Sequence, residues 1–193
     1  MRKLIELVRT DMIQAKRIRN TEHFNLLKLI ILFSKSKTCR IHFFVRLRSI
    51  NKVSSFIAKI YLDRFFIEIG PKTQIGKYFW MPHPRCIIIA NHVVIGEHVH
   101  VGQYVTIGGN FKKTKLLKDG KIQKLPILGN RINIHPGAVI GGPVTLGDDI
   151  IIGANAVVTH DVPSNTIVFG QNQFANKKIN IPDEGGSFKQ IIE

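Results

Sequence analysis

Residues 83–109 read HPRCIIIANHVVIGEHVHVGQYVTIGG, and this stretch decides the fold because an aliphatic residue recurs in it at every sixth position. The recurring residues are Ile89, Ile95, Val101 and Ile107, and each is followed by Gly or Ala. A period of six is too long for an α-helix and equals three strand periods of two residues. It is typical of short strands that each point one aliphatic side chain inward and then turn.

The same period continues on both sides of this stretch and covers 13 positions in all. These positions are Ile69, Ile75, Met81, Ile89, Ile95, Val101, Ile107, Leu128, Ile134, Ile140, Leu146, Ile152 and Val158. Successive positions are six residues apart, except for one step of eight after Met81 and one step of 21 after Ile107. Gly follows nine of the 13, and a small or branched residue often stands four positions further on.

A repeat of this length predicts a parallel β-helix. Three hexads form one triangular coil, and stacked coils bury a continuous aliphatic prism that no single repeat could bury alone. The 13 hexads predict a mainly β domain of about five coils. The alternative, an ordinary β-sandwich, would require turn signals about every 8–12 residues instead of every six.

Residues 1–66 differ from the repeat in composition and in pattern. They contain neither Gly nor Pro, and their apolar residues follow a rough helical pattern. They predict a helical region of amphipathic segments. After a first helix, a second is expected over about 22–34 with Thr21 as its cap, and two more over 39–50 and 54–66. The predicted organisation is a helical region 1–66, a β-helix domain 67–170 with an extended loop 110–126, and a C-terminal tail 171–193.

The charge of the chain is concentrated in two places. The formal net charge is +15, and residues 1–66 hold 15 Lys and Arg against 4 Asp and Glu. Residues 110–126 hold 6 Lys against 1 Asp, and the remainder is close to neutral. This distribution argues against a uniformly basic nucleic-acid-binding surface, so no nucleic-acid partner is predicted. It favours local attraction to phosphates, acidic glycans or a membrane surface.

The sequence shows neither a secretion signal nor a disulfide framework. Two cysteines, Cys39 and Cys86, exclude a disulfide scaffold and favour a reducing compartment. Charges interrupt the first apolar run, and the longest apolar stretch, 26–33, is far shorter than the roughly 20 residues of a spanning helix. We therefore expect a cytoplasmic protein, with peripheral contact at the inner membrane face through the basic helices as an additional hypothesis.

Two stretches carry a resemblance to a known family. Residues 83–109 end in VTIGG, and residues 128–170, LGNRINIHPGAVIGG…IIIGANAVVTHDVPSNTIVFG, end in a VP-T--G segment. Both are similar to the hexapeptide-repeat acyltransferases, whose fold is a left-handed parallel β-helix. Within them, residues 67–170 resemble serine O-acetyltransferases and the related capsule and exopolysaccharide O-acetyltransferases. The resemblance implies an acetyl-CoA-dependent O-acetyltransferase that forms a homotrimer with active sites between subunits.

The resemblance also implies a catalytic pair. A turn histidine at the position of His83 is the general base in the family, and a carboxylate fifteen residues earlier, here Glu68, orients it. Attack of a hydroxyl on a thioester needs such a base, because the pKa of a hydroxyl lies far above 7. The alternatives are a solvated turn histidine and a surface carboxylate, with His92 as the second candidate for the base.

In the family, acetyl-CoA lies along the groove between neighbouring subunits, against the backbone of small residues. The matching positions are Gly108, Gly109, Ala138 and Ala154. The Gly109 N–H is also a candidate donor to the oxyanion of the tetrahedral intermediate. Lysines of the 110–126 loop, Lys112 and Lys113 among them, are expected to meet the CoA phosphates or an anionic acceptor. The alternatives are glycines needed only for turns and a solvated basic loop.

No metal site is expected from the histidines. His92, His98 and His100 fall on different sides of a coil, so they are not placed to share one ion. His98, His100 and His160 are instead expected to be exposed on coil faces.

The sequence departs from the serine enzymes at three positions. Those enzymes carry Asp before the base and an Arg-His pair before the Pro that ends the loop, where this chain has Pro82, Lys124 and Leu125. An amino-acid substrate would lose charge partners there, at about 1.5–3 kcal/mol per charge-assisted hydrogen bond. We therefore predict a sugar hydroxyl in a capsule, O-antigen or exopolysaccharide unit as the acceptor. The candidate acceptor-binding residues are Trp80, Asn91, His92 and Lys124.

Two other functions stay open at this point. One is a serine O-acetyltransferase with a remodelled pocket, and the other is a non-catalytic β-helix scaffold that binds a partner through its basic helices. For Trp80, the alternative to stacking on a sugar is packing against the N-terminal helices.

Overall fold

The computed structural model describes residues 2–15, 26–110, 113–117, 120 and 122–170. Its helices are α1 (Arg2–Gln14), α2 (Leu26–Lys35), α3 (Lys37–Leu47) and α4 (Lys52–Asp63). Helix α3 begins two residues before the predicted start because Ser36 caps it, with its side chain accepting a hydrogen bond from the Cys39 N–H. Asn51 and Ser54 form a capping box at the start of α4. The predicted cap at Thr21 lies outside the described residues.

The repeat folds into three walls of short parallel strands. The first wall contains β1 (Ile67–Ile69), β3 (Ile87–Ile89), β6 (Thr106–Gly108), β11 (Val139–Gly141) and β14 (Val157–Val158). The second contains β2 (Gln74–Ile75), β4 (Val94–Ile95), β9 (Ile127–Leu128) and β12 (Thr145–Leu146). The third contains β5 (His100–Val101), β10 (Asn133–Ile134), β13 (Ile151–Ile152) and β15 (Ile167–Val168). The five strands of the first wall correspond to the five predicted coils.

The strand register shows where the regular coil is interrupted. In the later coils a residue pairs with the residue 18 positions on, as Val139 does with Val157, which is three hexads. Between the first two coils the interval is 20, since Ile67 pairs with Ile87. The two extra residues fall in the eight-residue step after Met81, so the enlarged corner directly follows the point where Trp80 pairs with His100 of the third wall.

The second interruption is the predicted loop 110–126. Within it, β7 (Lys115–Leu116) and β8 (Ile122–Gln123) pair as an antiparallel hairpin. The buried amide of Gln123 donates hydrogen bonds to the carbonyls of Leu125 (3.0 Å) and Val144 (2.9 Å). These contacts fasten the base of the hairpin to the second wall.

The repeating aliphatic side chains form the core of the β-helix. Twelve of the 13 are buried, and Ile75 is partly buried and packs against the same core. The residues four positions further on that the repeat singles out are buried beside them, as Val93 and Val105 illustrate. Glycine is required where corners stack closely: a Cβ on Gly96 would lie 2.3 Å from the Gly129 carbonyl oxygen.

A buried polar joint fixes the helical region to the first coil. Arg46 of α3 donates two hydrogen bonds to Asp11 of α1 (2.6 and 2.8 Å) and one each to the carbonyls of Ile75 and Gly76 (both 2.7 Å). Asp11 also accepts from the Phe79 N–H at 3.0 Å. A buried ion pair is tolerated when its remaining donors and acceptors are satisfied, which is the case here.

Apolar contacts join the same two regions. Ile41, Val45 and Leu62 of the helices belong to the core cluster of the β-helix. A second, smaller cluster that includes Val8 and Cys39 holds α1 and α2 on α3. Among the described residues, no helix combines the length and hydropathy needed to cross a membrane.

Candidate active site

His83 lies in the enlarged corner between the third and first walls. Its side chain is exposed and borders a cavity of about 390 Å³. The cavity is lined by Lys37, Thr38, Pro82, His83, Pro84, Arg85, Gln103 and Tyr104. The corner is open because the eight-residue step gives it two residues more than a regular hexad. The predicted base therefore borders a cavity that is contributed by both the β-helix and the start of α3.

Glu68 points outward from β1 on the first wall and is exposed. Both Glu68 and His83 are described by the structure, and no hydrogen bond joins them. Glu68 interacts electrostatically with Arg48 instead. Burial lowers the pKa of the Arg48 guanidinium, and the carboxylates of Asp63 and Glu68 partly offset that shift. The role of Glu68 in orienting His83 therefore stays a prediction.

A second cavity, of about 340 Å³, lies between the hairpin and the second wall. His92 and Lys124 border it together with Leu125 and hairpin residues. Gly109 is next to it, because a Cβ on Gly109 would lie 3.2 Å from Leu125 and 3.3 Å from the Lys124 carbonyl oxygen. The structure thus brings together three predicted residues, His92, Lys124 and Gly109, at a place that does not include His83.

The two cavities lie at opposite ends of the first-wall strands. His83 precedes β3, whereas Gly109 follows β6, the strand paired with β3. A strand of three residues spans about 10 Å at roughly 3.3 Å per residue. Within one chain, His83 and the predicted oxyanion donor are therefore separated by the width of the wall.

The predicted cofactor-binding amides differ in availability. Within the described residues, the N–H groups of Gly109 and Ala154 donate no hydrogen bond, so both are free for a ligand. Gly108 is paired with Gly141 in the first wall. Ala138 departs from the prediction, because it is fully buried and its N–H donates to the His135 carbonyl at 3.4 Å. Its place at an inward position of the coil leaves no surface for a cofactor.

The lysines predicted to meet phosphates lie in the hairpin loop. Lys112 lies outside the described residues. Lys113 is exposed, and its N–H donates to the Asn110 carbonyl at 3.1 Å. Lys115 pairs with Asp161, and this hydrogen bond holds the pKa of Asp161 below its usual range.

Two of the predicted acceptor-binding residues have structural contacts instead. The Trp80 ring stacks on His42 of α3, with centroids 5.2 Å apart, which is the packing alternative given above. Asn91 accepts a hydrogen bond from the Lys72 N–H at 3.1 Å and so joins two stacked corners. Neither residue is among those that line the His83 cavity.

The expectation that His98 and His100 are exposed was wrong. Both are half-buried, because the end of α1 covers them: Gln14 contacts His100 at 2.5 Å and His98 at 3.3 Å. Burial lowers the pKa of His100, and the nearby His98 lowers it further. No sequence pattern indicates this contact, since it depends on where α1 packs. In the part of the chain that the structure describes, no group of three His, Cys, Asp or Glu residues is placed to bind a metal.

Sequence reasoning missed six residues of the His83 cavity, which are Lys37, Thr38, Pro84, Arg85, Gln103 and Tyr104. Gln103 could have been predicted, because it lies 20 positions after His83. The same interval separates paired residues of the first two coils. Arg85 lies in the same enlarged corner as His83. Lys37 and Thr38 come from α3, and no sequence period relates them to the repeat.

Comparison with known proteins identifies the family. The chain is 33% identical over 128 residues to the serine acetyltransferase of Helicobacter pylori, covering 66% of this chain and 67% of that protein. The chain belongs to the serine acetyltransferase family. It is thus a member of an acyltransferase family, as its sequence predicts. It is also 37% identical over 111 residues to the serine acetyltransferase of Staphylococcus epidermidis, of which it spans 49%. No family model matches the sequence.

Solved structures of this family share the fold. The crystal structure of serine acetyltransferase isoform 3 from Entamoeba histolytica, in complex with cysteine, superposes with a TM-score of 0.68 at 23% identity, covering 91% of this chain and 61% of that one. Serine acetyltransferase from Neisseria gonorrhoeae, in complex with serine, gives 0.68 at 20% identity, covering 89% and 68%. The predicted left-handed parallel β-helix with an N-terminal helical region is confirmed.

Proposed function

We propose that this protein transfers an acetyl group from acetyl-CoA to a hydroxyl group, with His83 as the general base. The observation that carries the proposal is the exposed His83 side chain in a cavity of about 390 Å³, in the corner that two extra residues enlarge. A base at such a position reaches both a bound hydroxyl and solvent, and histidine is the side chain most often used for proton transfer at neutral pH.

The proposed reaction is a direct transfer. His83 accepts the proton of the acceptor hydroxyl while the hydroxyl oxygen attacks the thioester carbon, and Glu68 orients the imidazole. The Gly109 N–H, which has no acceptor among the described residues, donates to the oxyanion of the tetrahedral intermediate. The C–S bond then breaks, and His83 returns the proton to the departing thiolate. No acetyl-enzyme forms, because the base activates the acceptor itself.

A homotrimer is proposed because one chain holds the two halves of this site apart. Neighbouring subunits that pack along the first wall would bring His83 of one against Gly109 and the hairpin of the next. The wall carries exposed apolar side chains suited to such packing: Phe66, Ile88, Tyr104, Val139 and Val157. Exposed apolar surface of this kind on an otherwise neutral domain marks an interaction site.

For the acceptor, the relatives favour serine over a sugar, since those from Helicobacter pylori and Staphylococcus epidermidis are serine acetyltransferases. We therefore infer a serine O-acetyltransferase with a remodelled pocket. A sugar hydroxyl is the second candidate. It is supported by Pro82, Lys124 and Leu125, which stand where serine enzymes carry charged or titratable groups.

One assay tests both acceptors. CoA release from acetyl-CoA is followed with L-serine and with a panel of neutral and acidic sugars, using the parent protein and the His83→Ala variant. Release that requires L-serine and His83 supports the main proposal, whereas release with a sugar alone selects the second candidate. Absence of release with every acceptor, together with no binding of CoA, would favour the scaffold alternative.

We also propose that the helical region contacts an anionic membrane at the cytoplasmic face. The outer face of α4 exposes four large apolar side chains, Val53, Phe56, Ile57 and Ile60, with Lys52 and Lys59 beside them. Basic residues next to an apolar helix face suit a surface of anionic lipid, where each adds roughly 1 kcal/mol. The charge excess of residues 1–66 has the same sign.

A further inference from the structure

The His83 cavity has a cationic side that acetyl transfer itself does not require. Lys37 and Arg85 contribute positive charge to its lining, and none of the described lining residues is Asp or Glu. The Arg85 guanidinium is exposed, and none of the described residues forms an ion pair or hydrogen bond with it. The Lys37 ammonium lies 4.5 Å above the Phe65 ring, which holds it near the cavity. An arginine that has no partner among the described residues and lies beside the proposed base favours an anionic ligand.

The start of α3 adds backbone donors to the same side. Ser36 uses its side chain to cap the Cys39 N–H (3.2 Å), and its carbonyl accepts from the Arg40 N–H. The N–H groups of Lys37 and Thr38 have no acceptor among the described residues, and both residues line the cavity. Free N–H groups at the positive end of an 11-residue helix favour a negative charge.

A third observation concerns Gln103, on the coil after His83. Its Oε1 atom is buried and is the one buried side-chain nitrogen or oxygen atom without a hydrogen-bond partner among the described residues. Gln103 lines the same cavity as Arg85 and His83. A buried acceptor without a donor is unfavourable, so the Gln103 side chain gains a hydrogen bond if it turns towards the cavity and accepts from an ammonium or hydroxyl group of a bound molecule.

We propose that Arg85 and the amino end of α3 form a subsite for the carboxylate of the acceptor, with Gln103 accepting a hydrogen bond from the same molecule. This subsite rests on the proposed role of His83 and deepens it. The guanidinium provides the paired donors that suit a planar carboxylate. It would take over the role of the basic Arg-His pair, in place of which this chain has Lys124 and Leu125, so that a small hydroxy acid such as serine is held with its hydroxyl towards His83.

The test compares L-serine with L-serinamide, which lacks the carboxylate charge, in the full chain. Arg85→Gln is expected to raise the KM for L-serine at least tenfold, and Arg85→Lys is expected to recover part of the loss. With L-serinamide, the KM of Arg85→Gln is expected to exceed that of the parent protein by less than threefold. The matched control is Arg131→Gln, which removes an exposed arginine that does not line the cavity and leaves KM unchanged.

Three outcomes would overturn the subsite. One is an unchanged KM for L-serine in Arg85→Gln. Another is an equal rise in KM with L-serine and with L-serinamide. The third is a rise in the KM for acetyl-CoA instead, which would assign the cations to the CoA phosphates. If the parent protein releases no CoA with L-serine, calorimetric titration with L-serine and D-glucuronate separates the two proposals. If either probe binds the parent protein and binds Arg85→Gln tenfold more weakly, the subsite is supported although the proposed reaction fails. If the parent protein binds neither probe, the subsite is rejected.

Discussion

The β-helix and the helical region bury their apolar residues in different ways. In the β-helix, each aliphatic residue points into the prism and is covered by the coils above and below. In the helical region, α1 and α3 are well buried on one side, whereas α4 leaves Phe56 64% exposed. Each repeat buries its apolar side chains against the neighbouring repeats, whereas a single helix needs another surface to cover its apolar face. The difference shows where external contacts are expected: on the helices and on the first wall.

The two regions also divide the proposed chemistry. The base, its carboxylate and the oxyanion donor all come from the repeat. The cationic side of the cavity comes partly from Lys37 and Thr38 of α3. Under this proposal, the repeat provides the residues that carry out the reaction, and the helical region contributes to the choice of acceptor.

The largest expected effect comes from removing the base. His83→Ala should lower turnover by about 10²–10⁴-fold, because general base catalysis contributes that much. The assay is steady-state CoA release, with light scattering to verify the assembly. His160→Ala is the matched control, since His160 is exposed on the last coil. Activity of His83→Ala within tenfold of the parent would remove His83 from the mechanism.

The second-largest effect is expected from a substitution that breaks the polar joint between the two regions. Asp11→Ala leaves Arg46 buried without its carboxylate and should lower the free energy of unfolding by about 3–5 kcal/mol. Denaturant unfolding monitored by circular dichroism measures the loss. Glu6→Ala, on the exposed side of the same helix, should change stability by less than about 0.5 kcal/mol. Equal stability of the two variants would show that apolar packing alone holds the helices in place.

A smaller effect is expected for the outer face of α4. The double variant Phe56→Ser, Ile60→Ser should lose most of its binding to vesicles that contain phosphatidylglycerol, while binding to pure phosphatidylcholine stays weak throughout. Cosedimentation measures the bound fraction, and Ile167→Ser on the third wall is the control. Unchanged cosedimentation would exclude this face as the membrane contact. A decrease in assembly size would instead assign it to a second copy of the chain.

The smallest effect concerns His100 under the end of α1. Its pKa is lowered in the folded protein, so the unfolded chain binds more protons just below the ordinary value of 6.5. Stability from this site is therefore present above that value and decreases as the pH falls. In His100→Gln, the unfolding midpoint should depend less on pH between about 7.5 and 5 than in the parent. An identical pH dependence in both proteins would contradict this contribution.

Counting along the repeat predicts much of the site. The eight-residue step places an enlarged corner at His83, and the interval of 20 places Gln103 one coil further on. The same counting places Ala138 four residues after Ile134, at an inward position, which explains its small side chain without a cofactor. It gives no information on Trp80, whose neighbour His42 belongs to a helix outside the repeat.

The sequence by itself determined the β-helix, its five coils and the corner that holds His83, because the contacts there join residues at fixed intervals. Only the tertiary structure decided that Asp11 meets Arg46, that Gln14 covers His100 and that the start of α3 borders the cavity. The helices contact the coils through packing and buried charge, which carry no period along the chain. The repeat therefore specifies the proposed base, and the docking of the helices determines which groups surround it.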